Sequence, residues 1–241
     1  YQPILNNKSG LNIDWYKKKS KCLLFGGQVV PYDIVVTGEC NLPQVNIGDM
    51  QNTGIDLSAS YHGSVSKDFK FDITGTFTSY NNKIVNIPGL PYFNGPTIRN
   101  VIVQRNQEAH SVGEFFGYKV IGLFQSDDDV AKSPTQTDAS PGLFKYADVA
   151  GAPDANGKPT GPDGKIDDND RTYIGNPNPE FTYGLNISFS YKNFDFATFF
   201  FGSKGNDIFN QTQYYTDLPA FFKGGIREEV ALNAGTQINT N

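Results

Sequence analysis

The stretch "PDGKIDDND", residues 162–170, sets four aspartates around one glycine. A calcium loop needs oxygens at positions 1, 3, 5, 7, 9 and 12, with glycine at 6 for the sharp turn. Taking Asp163 as position 5 puts Gly164 at 6 and the Lys165 carbonyl at 7. Ile166 then anchors the loop, Asp167 falls at 9, and Asp170 closes it at 12. Counting back places Pro159 at 1 and Gly161 at 3, and neither has a side-chain oxygen. The competing reading is an acidic turn held by Asx hydrogen bonds to its own backbone, with no ion. If calcium binds, its task is structural: it stiffens a loop and catalyses nothing.

The elements around this loop are read from composition and alternation. The chain has 241 residues, with 19 Phe, 13 Tyr, 25 Gly and 14 Pro, a mixture that suits aromatic strands joined by turns. The net charge of -5 leaves no basic footprint for nucleic acid. The cluster Lys17, Lys18, Lys19 and Lys21 reads as a solvated strand end rather than a polyanion site. Cys22 and Cys40 fit no zinc spacing, and a disulfide between them stays open. His62 and His110 read as strand-end or surface residues. No catalytic set of carboxylates or nucleophile motif is visible, so no enzyme is expected.

Alternation is strict in several windows. Leu57, Ala59 and Tyr61 alternate with Asp56, Ser58 and Ser60; Phe69, Phe71, Ile73 and Phe77 alternate with Lys70, Asp72, Thr74 and Thr76. Tyr183 to Tyr191 repeats the pattern, and Phe194, Phe196 and Phe200 follow after a Lys192–Asn193 turn. Strands of this length, with aromatics near their ends, suit an antiparallel transmembrane β-barrel. Short turns at 63–68 and 192–193 face inward under the loop-length rule for such barrels. That rule gives strands at 53–62, 69–80, 97–103, 114–124 and 181–191, another after 193, and one near 13–25. External loops are expected at 81–96, 126–180 and 203–230. The alternative architecture is a secreted β-sandwich binding module with a calcium-stabilised loop.

Three stretches resemble one family. "NIGDMQNTGIDLSASY" at 46–61, "GEFFGYKVIGLFQ" at 113–125, and most of 146–210 are similar, in order, to SusC/RagA-type TonB-linked outer-membrane proteins. Phe116 stands where the family has Tyr, and Ile121 where it has Asp. The resemblance implies an all-β fragment from the late part of a large barrel, typically of about 22 strands with an N-terminal plug. It implies a bacterial outer-membrane location, with lipid around the wall, and import of glycans or peptides. Its expected partners are TonB, reached through a plug region outside residues 1–241, and a SusD-like surface lipoprotein. The plug and the final barrel strands are expected to lie outside this chain.

The same comparison bears on the acidic loop. Many relatives read Tyr-x-Asp-x-Asn-Gly-Asp-Gly-x-Ile-Asp without interruption. Here Asp148 matches the first Asp, and an insert intervenes before Asp163. Within it, "DANG" offers Asp154 and Asn156 as a second way to complete a calcium shell. The sequence does not choose between Asp148 and the Asp154/Asn156 pair. Aromatics at 93–96 and 214–222 read as packing between loops or against a partner in preference to glycan contacts.

Overall fold

The computed structural model describes residues 2–4, 8–25, 45–95, 97–98, 101–154, 160–217, 225 and 227–233. Cys40 and Asn156, and with them the disulfide and one half of the "DANG" alternative, lie outside the described residues. The chain divides into two compact units, residues 1–114 with 175–207, and residues 115–174 with 208–241.

The first unit is built on alternation. A short strand β1 (Gln2–Ile4) precedes the long strands β2 (Ser9–Phe25), β3 (Val45–Ser64) and β4 (Phe69–Asn86). Four short strands follow: β5 (Tyr92–Asn94), β6 (Thr97–Ile98), β7 (Val101–Ile102) and β8 (Arg105–Gln107). Next in chain order come the strands of the second unit, β9 (Phe115–Tyr118), β10 (Val120–Leu123), β11 (Phe144–Tyr146) and β12 (Arg171–Gly175), the last ending on the first residue back in the first unit. Two long strands, β13 (Phe181–Tyr191) and β14 (Phe194–Lys204), complete the set. The main sheet has the order β1-β2-β3-β4-β13-β14, with antiparallel neighbours throughout.

Its turns are tight where the sequence is polar and short. Between β3 and β4 the Ser66 hydroxyl accepts the N–H groups of Asp68 (3.3 Å) and Phe69 (3.1 Å). Between β13 and β14, Lys192 takes a φ of 53°, as two-residue hairpin turns demand. The Lys192 N–H donates to the Asp68 carbonyl at 3.0 Å, so the two turns are tied together.

The strand at 181–191 falls where the sequence places it, while 53–62, 69–80 and 13–25 are each the middle or most of a longer strand. The crossings expected at 97–103 and 114–124 are a correction. Within the first of these windows Thr97–Ile98 and Val101–Ile102 make only two antiparallel pairs, β6 with β7. Strands β9 and β10 pair with β12 and β11, outside the main sheet. β4 pairs directly with β13, Ser79 opposite Phe181 through Phe69 opposite Tyr191. One expected crossing ran inward and the other outward, so removing both leaves every other direction unchanged.

At the loop end of β4 the alternation turns into a small core. Ile84, Ile87 and Phe93 are buried together, with Val112 packed against them. The buried Asn82 is held on every side. Its amide donates to Asn52 (2.6 Å), its Oδ1 accepts from Val112 N–H (2.8 Å), and its carbonyl accepts from the Ser111 hydroxyl (2.7 Å).

The second unit carries the helix α1 (Asp127–Lys132), capped by Ser126, whose hydroxyl accepts the Asp129 N–H at 3.2 Å. Lys145 pairs with Asp129 at 2.7 Å. Phe116 and Phe124 are buried; Phe116 meets Tyr173 edge-on at 5.3 Å, with the Arg171 guanidinium 5.3 Å from its ring. These contacts explain why 114–124 looks like a membrane strand. Its aromatics serve a loop core instead.

Candidate functional site

Two features carry chemistry: the acidic loop and the two faces of the main sheet. The loop is closed by its own carboxylates. Asp148 accepts the N–H groups of Asp163 (3.2 Å) and Gly164 (2.7 Å), while the Asp163 carboxylate turns back onto Lys165 N–H (3.0 Å). Gly164 sits at φ 83°, the left-handed conformation that a glycine supplies at no steric cost. Lys165 and Thr135 form an isolated parallel bridge: Thr135 N–H donates to the Gly164 carbonyl, and Ile166 N–H donates to the Thr135 carbonyl, both at 2.8 Å. Sequence reasoning gives no sign of the Thr135 contact, because nothing local marks it.

Asp167 and Asp170 form a capping box around the 3-10 turn Asp168–Asp170. The Asp167 carboxylate accepts Asn169 N–H (2.8 Å), and Asp170 accepts Asp167 N–H in return (2.8 Å). The other oxygen of Asp170 accepts Val149 N–H (2.8 Å) and Ala150 N–H (3.2 Å). Asp170 is fully buried, at 0% exposure. Burial pushes its carboxyl up, but the N–H groups of Asp167, Val149 and Ala150 outweigh that and hold it below the usual carboxylate range. Tyr118 donates its hydroxyl to Asp168 at 3.2 Å; burial, then that carboxylate, raises the phenol.

The structure therefore brings together Asp148, Asp163 and Lys165 on one turn and Asp167 and Asp170 on the next, with Asp148 docked on the first. Asp154 lies exposed, after the point where Gly151 N–H bonds the Gly161 carbonyl at 2.9 Å and closes off the insert. A calcium ion takes six to eight oxygens. Among the described residues, no three His, Cys, Asp or Glu side chains are grouped to hold a metal ion. The carboxylates present here are engaged by backbone N–H groups. Asp167-x-x-Asp170 departs from the usual Ser/Thr-x-x-Glu/Gln form of a capping box, so its spacing alone does not announce one.

The sheet separates two chemistries by register. One face stacks Ile13, Leu57, Phe77 and Tyr183 in one row, and Tyr61, Ile73 and Ile187 in another. Phe71, Phe189 and Phe196 form a third, with Phe189 stacked on Phe196 at 5.0 Å. The opposite face carries Asn12, Asp14, Asp56, Ser58, Thr74, Thr76, Thr78 and Asn186, with the stacked, exposed Phe199 and Phe201 of β14 as apolar exceptions. His62 lies on that polar face against Asp72. The apolar face has no cover among the described residues: Trp15 is 68% exposed, Tyr183 50% and Phe194 77%. Leu57, Phe71 and Ile187 are half-buried and Phe189 is exposed, so none of the four lies in the closed core a sandwich requires. Along β13 the apolar positions run from Phe181 to Tyr191, about 34 Å of strand. At the usual tilt of membrane strands that is about 25 Å of height, matching the apolar band of outer-membrane barrels. No helix among the described residues is long and apolar enough to cross a membrane.

No family model matches the chain. Over 214 residues it is 30% identical to TonB-dependent receptor P3 of Formosa agariphila, a match covering 87% of this chain and 20% of that receptor. The chain belongs to the TonB-dependent receptor family. TonB-dependent receptor P26 of the same organism is 25% identical over 212 residues, covering 86% of the chain and 20% of the receptor. The chain spans about a fifth of the length of these TonB-dependent receptors. Among solved structures, the RagAB peptide transporter matches with a TM-score of 0.69 at 21% identity, covering 98% of this chain and 24% of its own. The RagAB peptide importer in its open-open state gives 0.65 at 20% identity, covering 98% and 23%. The fold is thus a fragment of a RagA-type antiparallel barrel.

Proposed function

We propose that this chain is part of the wall and outer loops of a receptor that imports oligosaccharides or peptides across the bacterial outer membrane. The observation that carries the reading is the uncovered apolar face about 25 Å tall, in a chain that belongs to the TonB-dependent receptors. Lipid meets that face, and the polar face of Asp, Asn, Ser and Thr lines the interior. The end bearing 87–180 points out of the cell, because short turns face the periplasm in such barrels. Energy comes from TonB through a plug carried elsewhere in the receptor, and a SusD-like lipoprotein partners the outer end. The test uses the full-length receptor. Deleting its gene should abolish uptake of labelled oligosaccharide or of labelled peptide, and TonB loss should do the same. Pull-down of the tagged receptor should bring the lipoprotein. A receptor absent from the outer-membrane fraction would refute the reading.

For the acidic loop we propose a structural role carried by hydrogen bonds. Its support is the engagement of Asp148 and Asp170 by five backbone N–H groups. A structural calcium ion is the second reading, favoured by the oxygen-rich composition of 163–170. Calcium titration separates the two.

A further inference from the structure

The lysine cluster at the loop end of β2 is split by the pleat. Lys18 turns to the polar face, its amino group 4.9 Å from the Tyr16 ring. Lys17 and Lys19 share the parity of Leu11, Ile13 and Trp15, the apolar face. Register then finds them company. Lys17 lies opposite Thr53, and Thr53 opposite Asn81; Lys19 lies opposite Gln51, and Gln51 opposite Lys83. On β4 the outward assignment is independent, because Asn82 and Ile84 are buried while Asn81, Lys83 and Val85 are exposed. Lys204, paired with Phe181, joins the same face one row nearer the apolar band.

Three lysines thus stand just beyond the apolar band, with Lys19 and Lys83 about 10 Å apart across two strand spacings, and Lys17 about 7 Å along the strand from Lys19. Long lysine stems let their amino groups converge between those positions. Among the described residues none of Lys17, Lys19, Lys83 or Lys204 is in an ion pair. The outward positions from this row to the inner turns carry no Asp or Glu. The nearest carboxylate further out, Asp49, accepts the Cys22 N–H at 3.3 Å. Unpaired cations of one sign, at the edge of a lipid-facing surface, sit at the depth of lipid headgroups. Each lysine so placed attracts anionic lipid.

We propose that Lys17, Lys19 and Lys83 bind the phosphate-bearing headgroup of an anionic lipid in the outer leaflet, with its acyl chains lying on Trp15 and Ile55. The proposal rests on the outer-membrane reading above and adds a specific ligand to it. The experiment uses the full-length receptor purified in detergent, with lipid A, phosphatidylcholine and inorganic phosphate as probes. Native mass spectrometry and the thermal midpoint read binding. Lipid A should bind and raise the midpoint, whereas phosphatidylcholine should not. The Lys17→Gln/Lys19→Gln/Lys83→Gln variant should bind lipid A about a hundredfold more weakly, roughly fivefold per lysine. The corresponding triple Arg variant should retain binding. Lys83→Gln alone, expected at about fivefold, keeps the test open if the triple variant does not insert. Unchanged lipid A binding in the Gln variants would overturn the proposal, and so would displacement by inorganic phosphate at equal concentration. A receptor missing from the outer membrane would instead overturn the reading on which it rests.

Discussion

Asp170→Asn is the sharpest probe of the acidic loop. The substitution keeps shape and removes one of two acceptor oxygens. Oδ1 serves Val149 and Ala150, and Oδ2 serves Asp167. An amide in place of the carboxylate keeps one of these sets and turns an NH2 group toward the other. A hydrogen bond to a charged group is worth about 1.5–3 kcal/mol. Val149 and Asp167 are exposed residues, so water recovers part of the loss at their amides. The expected cost is therefore near the lower end, about 1.5–2 kcal/mol. Amide hydrogen exchange on the full-length receptor reads it directly. Protection at Val149 and Ala150, or at Asp167, should fall by about 10- to 30-fold, since 1.36 kcal/mol is a factor of ten. Protection on β13 should not change. If all three amides keep wild-type protection, Asp170 does not pin the loop and the reasoning is wrong.

Other outcomes follow from the same geometry. Ile187→Arg on the lipid face should cost about 2–4 kcal/mol of folding stability, whereas Ser188→Arg on the polar face should cost far less; urea unfolding in bilayers compares them. Asp170 is held below the usual carboxylate range, so its stabilisation is complete above about pH 4 and fades as pH falls through its lower folded value. Protease cleavage within 148–170 should therefore rise at low pH in the wild type, with a weaker rise in Asp170→Asn. The hydrogen-bonded loop should show no calcium heat and no change in thermal midpoint between chelator and millimolar calcium; calcium-dependent stabilisation would establish the ion. A methyl group at Gly54 would stand 2.7 Å from both the Ser79 carbonyl oxygen and the Tyr16 hydroxyl. Gly54→Ala should thus destabilise the sheet by about 1–3 kcal/mol, read in the same unfolding assay.

The sequence made β13 legible because its faces alternate without a break, and β14 because Phe194 and Phe196 follow a turn only two residues long, before the alternation breaks at Phe199–Phe201. β3 and β4 were read short. Their loop ends carry Gln51, Asn52, Asn81, Asn82 and Lys83, so the apolar signal stops before the pairing does. Hydrophobicity reports burial or lipid contact, and pairing alone leaves no such trace. The windows 97–103 and 114–124 show the converse. Phe116 and Phe124 are apolar because they fill a loop core, and periodicity cannot tell that core from a bilayer. In the acidic loop, the docking of Asp148 was readable only through the family motif. The burial of Asp170 depends on Val149 and Ala150, whose amides carry no side-chain signature. The lysine cluster was visible as a run, but its division between two faces emerged only once register was known.

The direct pairing of β4 with β13 has a consequence for how such a protein can change. The chain leaves the sheet after Asn86 and returns at Phe181 beside the strand it left. To the main sheet, residues 87–180 are a single hairpin connection of unusual length. Lengthening a loop costs only about 0.6 kcal/mol for each doubling. That excursion can be extended, trimmed or exchanged wholesale while every apolar row of the sheet keeps its register. It behaves as a cassette. Variation in the excursion is thereby uncoupled from the pairing of the long strands.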